Sequence, residues 1–253
     1  MNKYNLQFET FILLEYLFEK EILDEQNFYK YVQNYDINRL EKSLCRNIFE
    51  EESVNVEMHA GGIQATRELI KMAKPYSKMK VLDAGAGYGS TARILSKEFG
   101  CNVVALEKDR VKLLKGIIRN KCENITNIEY IKADAYKMPF MDRNFDMIFR
   151  QNAIYGQSET LFLDECYRIL KNNGKIAFQG VFLKKRIPGM KCENLCDDYI
   201  NILKDHGFVD IDIVFDENNE RLKESFAARG EKIFQRALSL DLLIGYMLVA
   251  RKE

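Results

Sequence analysis

Lys80-Val81-Leu82-Asp83-Ala84-Gly85-Ala86-Gly87-Tyr88-Gly89 is the stretch on which the fold turns. A short apolar strand, Lys80 to Asp83, ends in an acidic residue. Glycines follow at alternate positions, and a helical segment runs on to about Phe99. Glycine suits such a loop because the chain must turn sharply and a Cβ would collide with anything brought close to the backbone. A helix that starts there aims its unbonded N–H groups and positive dipole end at the same space. The pattern therefore predicts a strand–loop–helix unit that holds a small ligand against its main chain.

Outward from this unit, apolar strands alternate with amphipathic stretches, the signature of βαβ units around a parallel sheet. Upstream, Gly62 to about Ala73 reads as a helix that stops near Pro75. Downstream, Asn102–Leu106, Ile128–Ala133, Phe145–Phe149, Lys175–Val181, Phe208–Phe215 and Gly245–Arg251 read as strands. Helices are expected from Asp109 to about Asn120, Glu159 to about Leu170 and Leu195–His206, with Asn172-Asn173-Gly174 and Gly207 as stops. The polar stretch 217–241 reads as helical. The expected fold is α/β: a Rossmann-like, seven-stranded, mostly parallel sheet flanked by helices over 61–253. Residues 1–60 are expected to form a separate N-terminal helical cap, since no Gly or Pro precedes Gly61 and ten aromatics precede residue 50. Most of those aromatics would build the cap's own core.

Composition narrows the function classes. The 253 residues carry 38 Lys plus Arg and 38 Asp plus Glu, a formal net charge of zero. Phosphate neutralisation supplies most nucleic-acid affinity, so a balanced chain argues against a nucleic-acid partner. The apolar run Phe11-Ile12-Leu13-Leu14 is too short to span a membrane, and its acidic flanks do not suit a signal peptide. No membrane partner and a cytoplasmic location are expected. The six cysteines then read as thiols. With two histidines in all and one close Cys pair, Cys192 and Cys196, no metal site is expected.

The glycine loop alone is a weak signal, because dinucleotide folds use a similar one. Their fingerprint is G-x-G-x-x-G; here the spacing is G-x-G-x-G, and Ser90 stands where the third dinucleotide glycine would lie. At Val81–Gly89 the chain resembles the first motif of the class I S-adenosylmethionine-dependent methyltransferases. Val103-Val104-Ala105-Leu106-Glu107 is similar to their second strand with its closing acid, and Asp134-Ala135 to their adenine-contacting pair. Phe145-Asp146-Met147-Ile148 and Leu170-Lys171-Asn172-Asn173-Gly174-Lys175-Ile176 resemble two later motifs in the family's order. The resemblance implies S-adenosylmethionine as cofactor and methyl transfer to a small molecule. It implies Asp83, Gly85, Gly87, Gly89, Glu107, Asp134, Ala135 and Gln151 as the cofactor-side residues, with Glu107 accepting both ribose hydroxyls.

His59-Ala60-Gly61-Gly62-Ile63-Gln64-Ala65-Thr66 is similar to a segment of small-molecule members, among them sarcosine/dimethylglycine and phosphoethanolamine methyltransferases. Several of those carry Gln-Asp-Ala or Arg-Asp-Ala and then a His after the fourth strand. This chain has Gln151-Asn152-Ala153-Ile154-Tyr155-Gly156, with Asn in place of the acid and Gly in place of the His. A cationic acceptor thus lacks its counter-charge there. His59, as a general base or as a structural residue, and Tyr155, as an acceptor-orienting or a packing residue, are the catalytic candidates. Lys184-Lys185-Arg186 reads as a solvated loop or an anion contact. Two other readings stay open: an NAD(P)-dependent oxidoreductase, which explains Gly85, Gly87 and Glu107 but not the spacing or the later motifs, and a non-catalytic S-adenosylmethionine-binding module.

Overall fold

The computed structural model describes residues 61–151, 159–184, 195–216 and 232–253, with Asn219, Leu222, Lys223 and Ala227 between the last two blocks. The expected cap (1–60), His59, Tyr155 and most of the Lys184-Lys185-Arg186 run lie outside the described residues.

Helix α1 (Gly62–Ala73) leads into strand β1 (Lys80–Ala84), helix α2 (Ser90–Phe99) and strand β2 (Asn102–Glu107). Helix α3 (Arg110–Cys122), strand β3 (Ile128–Lys132), strand β4 (Phe145–Gln151) and helix α4 (Glu159–Ile169) follow. The chain closes with strand β5 (Leu170–Leu183), helix α5 (Cys196–Asp205), strand β6 (Phe208–Asp216), helix α6 (Lys232–Ser239) and strand β7 (Leu243–Lys252). One seven-stranded sheet results, in the order β3-β2-β1-β4-β5-β7-β6. β1 pairs in parallel with β2 and β4, β2 with β3 and β4 with β5, whereas β7 runs antiparallel to both β5 and β6. The Rossmann-like, mostly parallel, seven-stranded expectation holds.

Burial explains the composition of the strands. In β1, Val81, Leu82, Asp83 and Ala84 are all buried, as a central strand covered on both faces requires. On one face, Ala65, Leu69, Ile70 and Ala73 of α1 join Ala92 and Leu95 of α2 and Leu113 and Ile117 of α3 over Val81, Val103 and Phe149. On the other, Phe162, Leu163 and Cys166 of α4 and Tyr199 and Leu203 of α5 cover Leu82, Ile148 and Phe178. Their spacing along α1, at i, i+4, i+5 and i+8, is the apolar stripe of an amphipathic helix.

Several boundaries shift. β5 starts at Leu170, ahead of the expected Lys175, because Leu170 already pairs with Phe145; the register slips between Phe145 and Met147. Asn173 still takes the left-handed turn, φ 62°. β4 continues to Gln151, since Arg150 and Gln151 pair with Phe178 and Gln179. Among the cysteines, Cys101, Cys166 and Cys196 are free thiols, but Cys122 is disulfide-bonded, which corrects the expectation of thiols throughout. Among the described residues no helix is long and apolar enough to cross a membrane, and no three His, Cys, Asp or Glu side chains converge as a metal-binding group.

Candidate cofactor site

Strand order reverses between β1 and β4, with β2 and β3 on one side and β5 on the other. In an open α/β sheet that reversal opens a crevice beyond the carboxyl ends of the strands, where ligands sit. The glycine loop leaves β1 at this point. Its first two N–H groups, of Gly85 and Ala86, both donate to the Leu106 carbonyl at 2.9 Å, which folds the loop against β2. Gly85, Gly87 and Gly89 have φ of 75°, 55° and 76°, the left-handed region that favours glycine.

The glycines differ in what surrounds them. Among the described residues a Cβ on Gly87 would meet nothing within 4 Å, so this position has space beside it. A Cβ on Gly89 would fall 2.0 Å from the Tyr130 hydroxyl, so packing of α2 against β3 already demands glycine there. Gly87 is therefore a loop position with room beside it for a ligand.

Two carboxylates flank the loop. Asp83, at the end of β1, is 3% exposed, and among the described residues its Oδ2 has no hydrogen-bond partner. Burial pushes its carboxyl up to about 7; the Ala92 N–H opposes that, Glu107 adds to it, and Arg93 opposes it. Glu107, closing β2, is also buried. Its Oε2 accepts the Gly87 N–H at 2.7 Å, and its Oε1 accepts the N–H groups of Lys108 and Asp109, both at 2.8 Å. A carboxylate has about four acceptor positions, so Glu107 keeps about one for a ligand hydroxyl, where the sequence reading assigned it two.

Asp134 lies past β3, its Oδ1 accepting the Tyr136 N–H at 3.0 Å and its Oδ2 paired with Lys108 at 2.9 Å. Those bonds hold its carboxyl below the usual range, the Tyr136 N–H most of all. Ala135 is buried in the core beside it. Gln151 ends β4 with its amide turned into a polar seam: Oε1 accepts from Thr91 at 2.7 Å, and Nε2 donates to Gln179 at 2.7 Å and to Thr66 at 3.2 Å. The structure thus ties Glu107 to the Gly87 N–H, sets Asp83 near enough to Glu107 for the two charges to interact, and leaves space beside Gly87. Asp134 stands at the next strand end, and the Gln151 amide is bonded within the protein.

A second buried polar group escaped the sequence reading. Arg150, on the opposite face of β4 from Gln151, pairs with Glu159 at 2.7 Å and donates to the Tyr199 hydroxyl at 3.0 Å. Its guanidinium lies 4.7 and 4.4 Å from the ring centroids of Phe162 and Phe178. The one legible signal was an arginine directly after the buried run Met147-Ile148-Phe149.

Similarity to known proteins centres on the same part of the chain. Residues 82–178 match the family described as a methyltransferase domain. Beyond it, the sarcosine/dimethylglycine N-methyltransferase of Halorhodospira halochloris is 26% identical over 159 residues, covering 58% of this chain and 56% of that protein. Phosphoethanolamine N-methyltransferase 3 of Arabidopsis thaliana is 23% identical over 79% of this chain and 42% of its own length. The chain therefore spans about half the length of these curated relatives. Among solved structures, phosphoethanolamine N-methyltransferase 2 of Haemonchus contortus, bound to phosphomonomethylethanolamine and S-adenosylhomocysteine, superposes with a TM-score of 0.69 at 21% identity. It covers 85% of this chain, which covers 59% of it, and the two share their fold.

The residues of the opening suit the cofactor of such a domain. S-adenosylmethionine brings an ammonium group, a sulfonium and two ribose hydroxyls. Asp83 offers a buried, unpartnered carboxylate oxygen to a cation, Glu107 an acceptor to a hydroxyl, and Gly87 the space for close approach.

Proposed function

We propose that the protein transfers the methyl group of S-adenosylmethionine to a small-molecule acceptor. The observation that carries this reading is the opening itself: a left-handed glycine with empty space beside it, set between two buried carboxylates, one of them with an unpartnered oxygen. Its cofactor is S-adenosylmethionine. Bound there, the cofactor supplies a methyl group already made electrophilic by its sulfonium.

The work left to the chain is to bind, orient and exclude water. Glu107 accepts a ribose hydroxyl while its bond to the Gly87 N–H keeps the loop open. Ionised Asp83 holds the ammonium group. Orientation of two reactants can lower a barrier by roughly 7–11 kcal/mol, and it requires the acceptor to be held in line with the methyl–sulfur bond. On this reading the acceptor sits beyond the end of β4, with Tyr155 orienting it and His59 taking a proton where the acceptor carries one. Asn152 stands where similar enzymes carry an acid, which favours a neutral or anionic acceptor over a cationic amine. The balanced charge and the apolar runs too short for a membrane span agree with a cytoplasmic enzyme of small metabolites.

The test is incubation with S-adenosylmethionine and a panel of small amines, phenols, thiols and carboxylates, with detection of S-adenosylhomocysteine. Release that depends on one acceptor class supports the proposal. Tight cofactor binding with no release across the panel favours a binding module instead.

A further inference from the structure

The amide of Gln151 lies where four elements meet. It ends β4, lies in register with Gln179 of β5, and reaches Thr91 in the first turn of α2 and Thr66 in α1. Thr66, Thr91 and Gln179 are at most 5% exposed. Both amide hydrogens of Gln151 are used, toward Gln179 Oε1 at 2.7 Å and Thr66 Oγ at 3.2 Å, and its oxygen accepts the Thr91 hydroxyl. An amide has two donors and an oxygen with two lone pairs; the Thr66 hydroxyl also lies 3.3 Å from that oxygen, so the Gln151 amide is engaged by Thr66, Thr91 and Gln179. Apolar side chains could fill this volume without the desolvation that buried polar groups carry. What the amide adds is direction, since each bond fixes one neighbour's position.

The neighbour that matters most is α2. Its preceding residue, Gly89, has a left-handed φ of 76° and supplies no side-chain cap. The first turn is instead tied at two consecutive residues: the Thr91 hydroxyl to Gln151 on β4, and the Ala92 N–H to Asp83 on β1. These two strands flank the crevice. Anything that moves this turn moves Gly87 and the N–H that it gives to Glu107.

We infer that Gln151 is a positioning residue for the cofactor loop: through Thr91 it sets the first turn of α2 against the ends of β4 and β5, and it does so without touching the cofactor. The inference rests on the reading of this opening as an S-adenosylmethionine site. It departs from the resemblance-based assignment of Gln151 as a cofactor contact.

The test uses S-adenosylhomocysteine as probe, titrated calorimetrically into the full chain, together with amide hydrogen exchange over residues 87–95. Gln151→Leu and Thr91→Val should each weaken binding about tenfold, the worth of one such hydrogen bond. Combined, they should lose little more than Gln151→Leu alone, because that change already removes the Thr91 link. Exchange over 87–95 should quicken in both variants, more than it does elsewhere in the chain. Gln151→Glu should bind within about threefold of wild type at low pH, because the protonated acid still accepts from Thr91 and donates to Gln179. A leucine variant that binds as wild type does would overturn the inference. So would a Thr91→Val variant that binds as wild type does, because the link to α2 runs through that hydroxyl. If the wild-type protein fails to bind the probe, the cofactor reading itself falls; unchanged exchange over 87–95 in Gln151→Leu would then separately reject the positioning role.

Discussion

Replacing Asp83 by asparagine removes the most perturbed carboxyl of the cofactor opening and should leave a defined mark on stability. Burial raises this group from 3.8 to about 7, with the Ala92 N–H as the main opposing influence. Each pKa step of one corresponds to 1.36 kcal/mol, so the ionised form carries a penalty of roughly 4 kcal/mol in the unliganded protein. The sign follows from linkage. A carboxyl whose folded pKa is raised favours the folded state below its unfolded pKa, and that advantage is lost as pH climbs through the folded value. Wild type should therefore lose stability relative to Asp83→Asn between about pH 4 and 7, with flat differences on either side. Urea denaturation of both proteins at half-unit pH intervals measures this, and taking the difference cancels the other titrating groups. Binding S-adenosylmethionine, whose ammonium favours ionised Asp83, should become tighter with rising pH in wild type and lose that dependence in Asp83→Asn. A stability difference that stays constant from pH 3 to 8 would refute the reasoning, because it would mean that Asp83 is solvated.

Other perturbations reach the remaining parts of the site. Glu107→Ala removes the acceptor of the Gly87, Lys108 and Asp109 N–H groups. Hydrogen bonds to charged groups are worth about 1.5–3 kcal/mol, so S-adenosylhomocysteine affinity should fall at least tenfold in a calorimetric titration; a change under twofold would mean that the ligand does not use this strand end. Arg150→Met removes the cation that faces Glu159 and leaves that carboxylate with the Tyr199 hydroxyl but no counter-charge from Arg150, which should cost about 3–5 kcal/mol in urea denaturation, and adding Glu159→Leu should recover much of it. Equal losses in the single and double variants would show that the ion pair is not what the site requires. His59→Ala and Tyr155→Phe should each slow S-adenosylhomocysteine release severalfold with unchanged cofactor affinity; wild-type turnover in both would move the acceptor site away from them.

Much of this was legible because it depends on local chemistry. Alternating glycines after Asp83 point to left-handed backbone with room for a close approach, and the structure has the positive φ and the empty space at Gly87. Strands such as Val81-Leu82-Asp83-Ala84 read clearly because burial on both faces calls for continuous apolar runs. What stayed hidden depends on partners distant in sequence. Glu107 reads as a ligand acceptor, yet three backbone N–H groups already share its oxygens, and loop geometry alone decides that. Gln151 reads as a site residue because of where it ends a strand, but its bonds to Thr66, Thr91 and Gln179 cross 28 to 85 residues of sequence. Arg150 needs Glu159, Tyr199 and two phenylalanine rings before its burial makes sense, and no periodicity announces them. Gly89 resembles its loop neighbours in sequence, and only the approach of Tyr130 shows that packing fixes it.

The central claim is that the opening beside Gly87 takes S-adenosylmethionine, and calorimetric titration of S-adenosylhomocysteine, with NAD and NADP in parallel, tests it most directly. Wild-type protein should bind S-adenosylhomocysteine at one site per chain and bind neither dinucleotide. Gly87→Val, which fills the open space, should abolish that binding while keeping a cooperative unfolding transition. Binding of NAD or NADP without S-adenosylhomocysteine, or undiminished S-adenosylhomocysteine binding by Gly87→Val, would contradict the account.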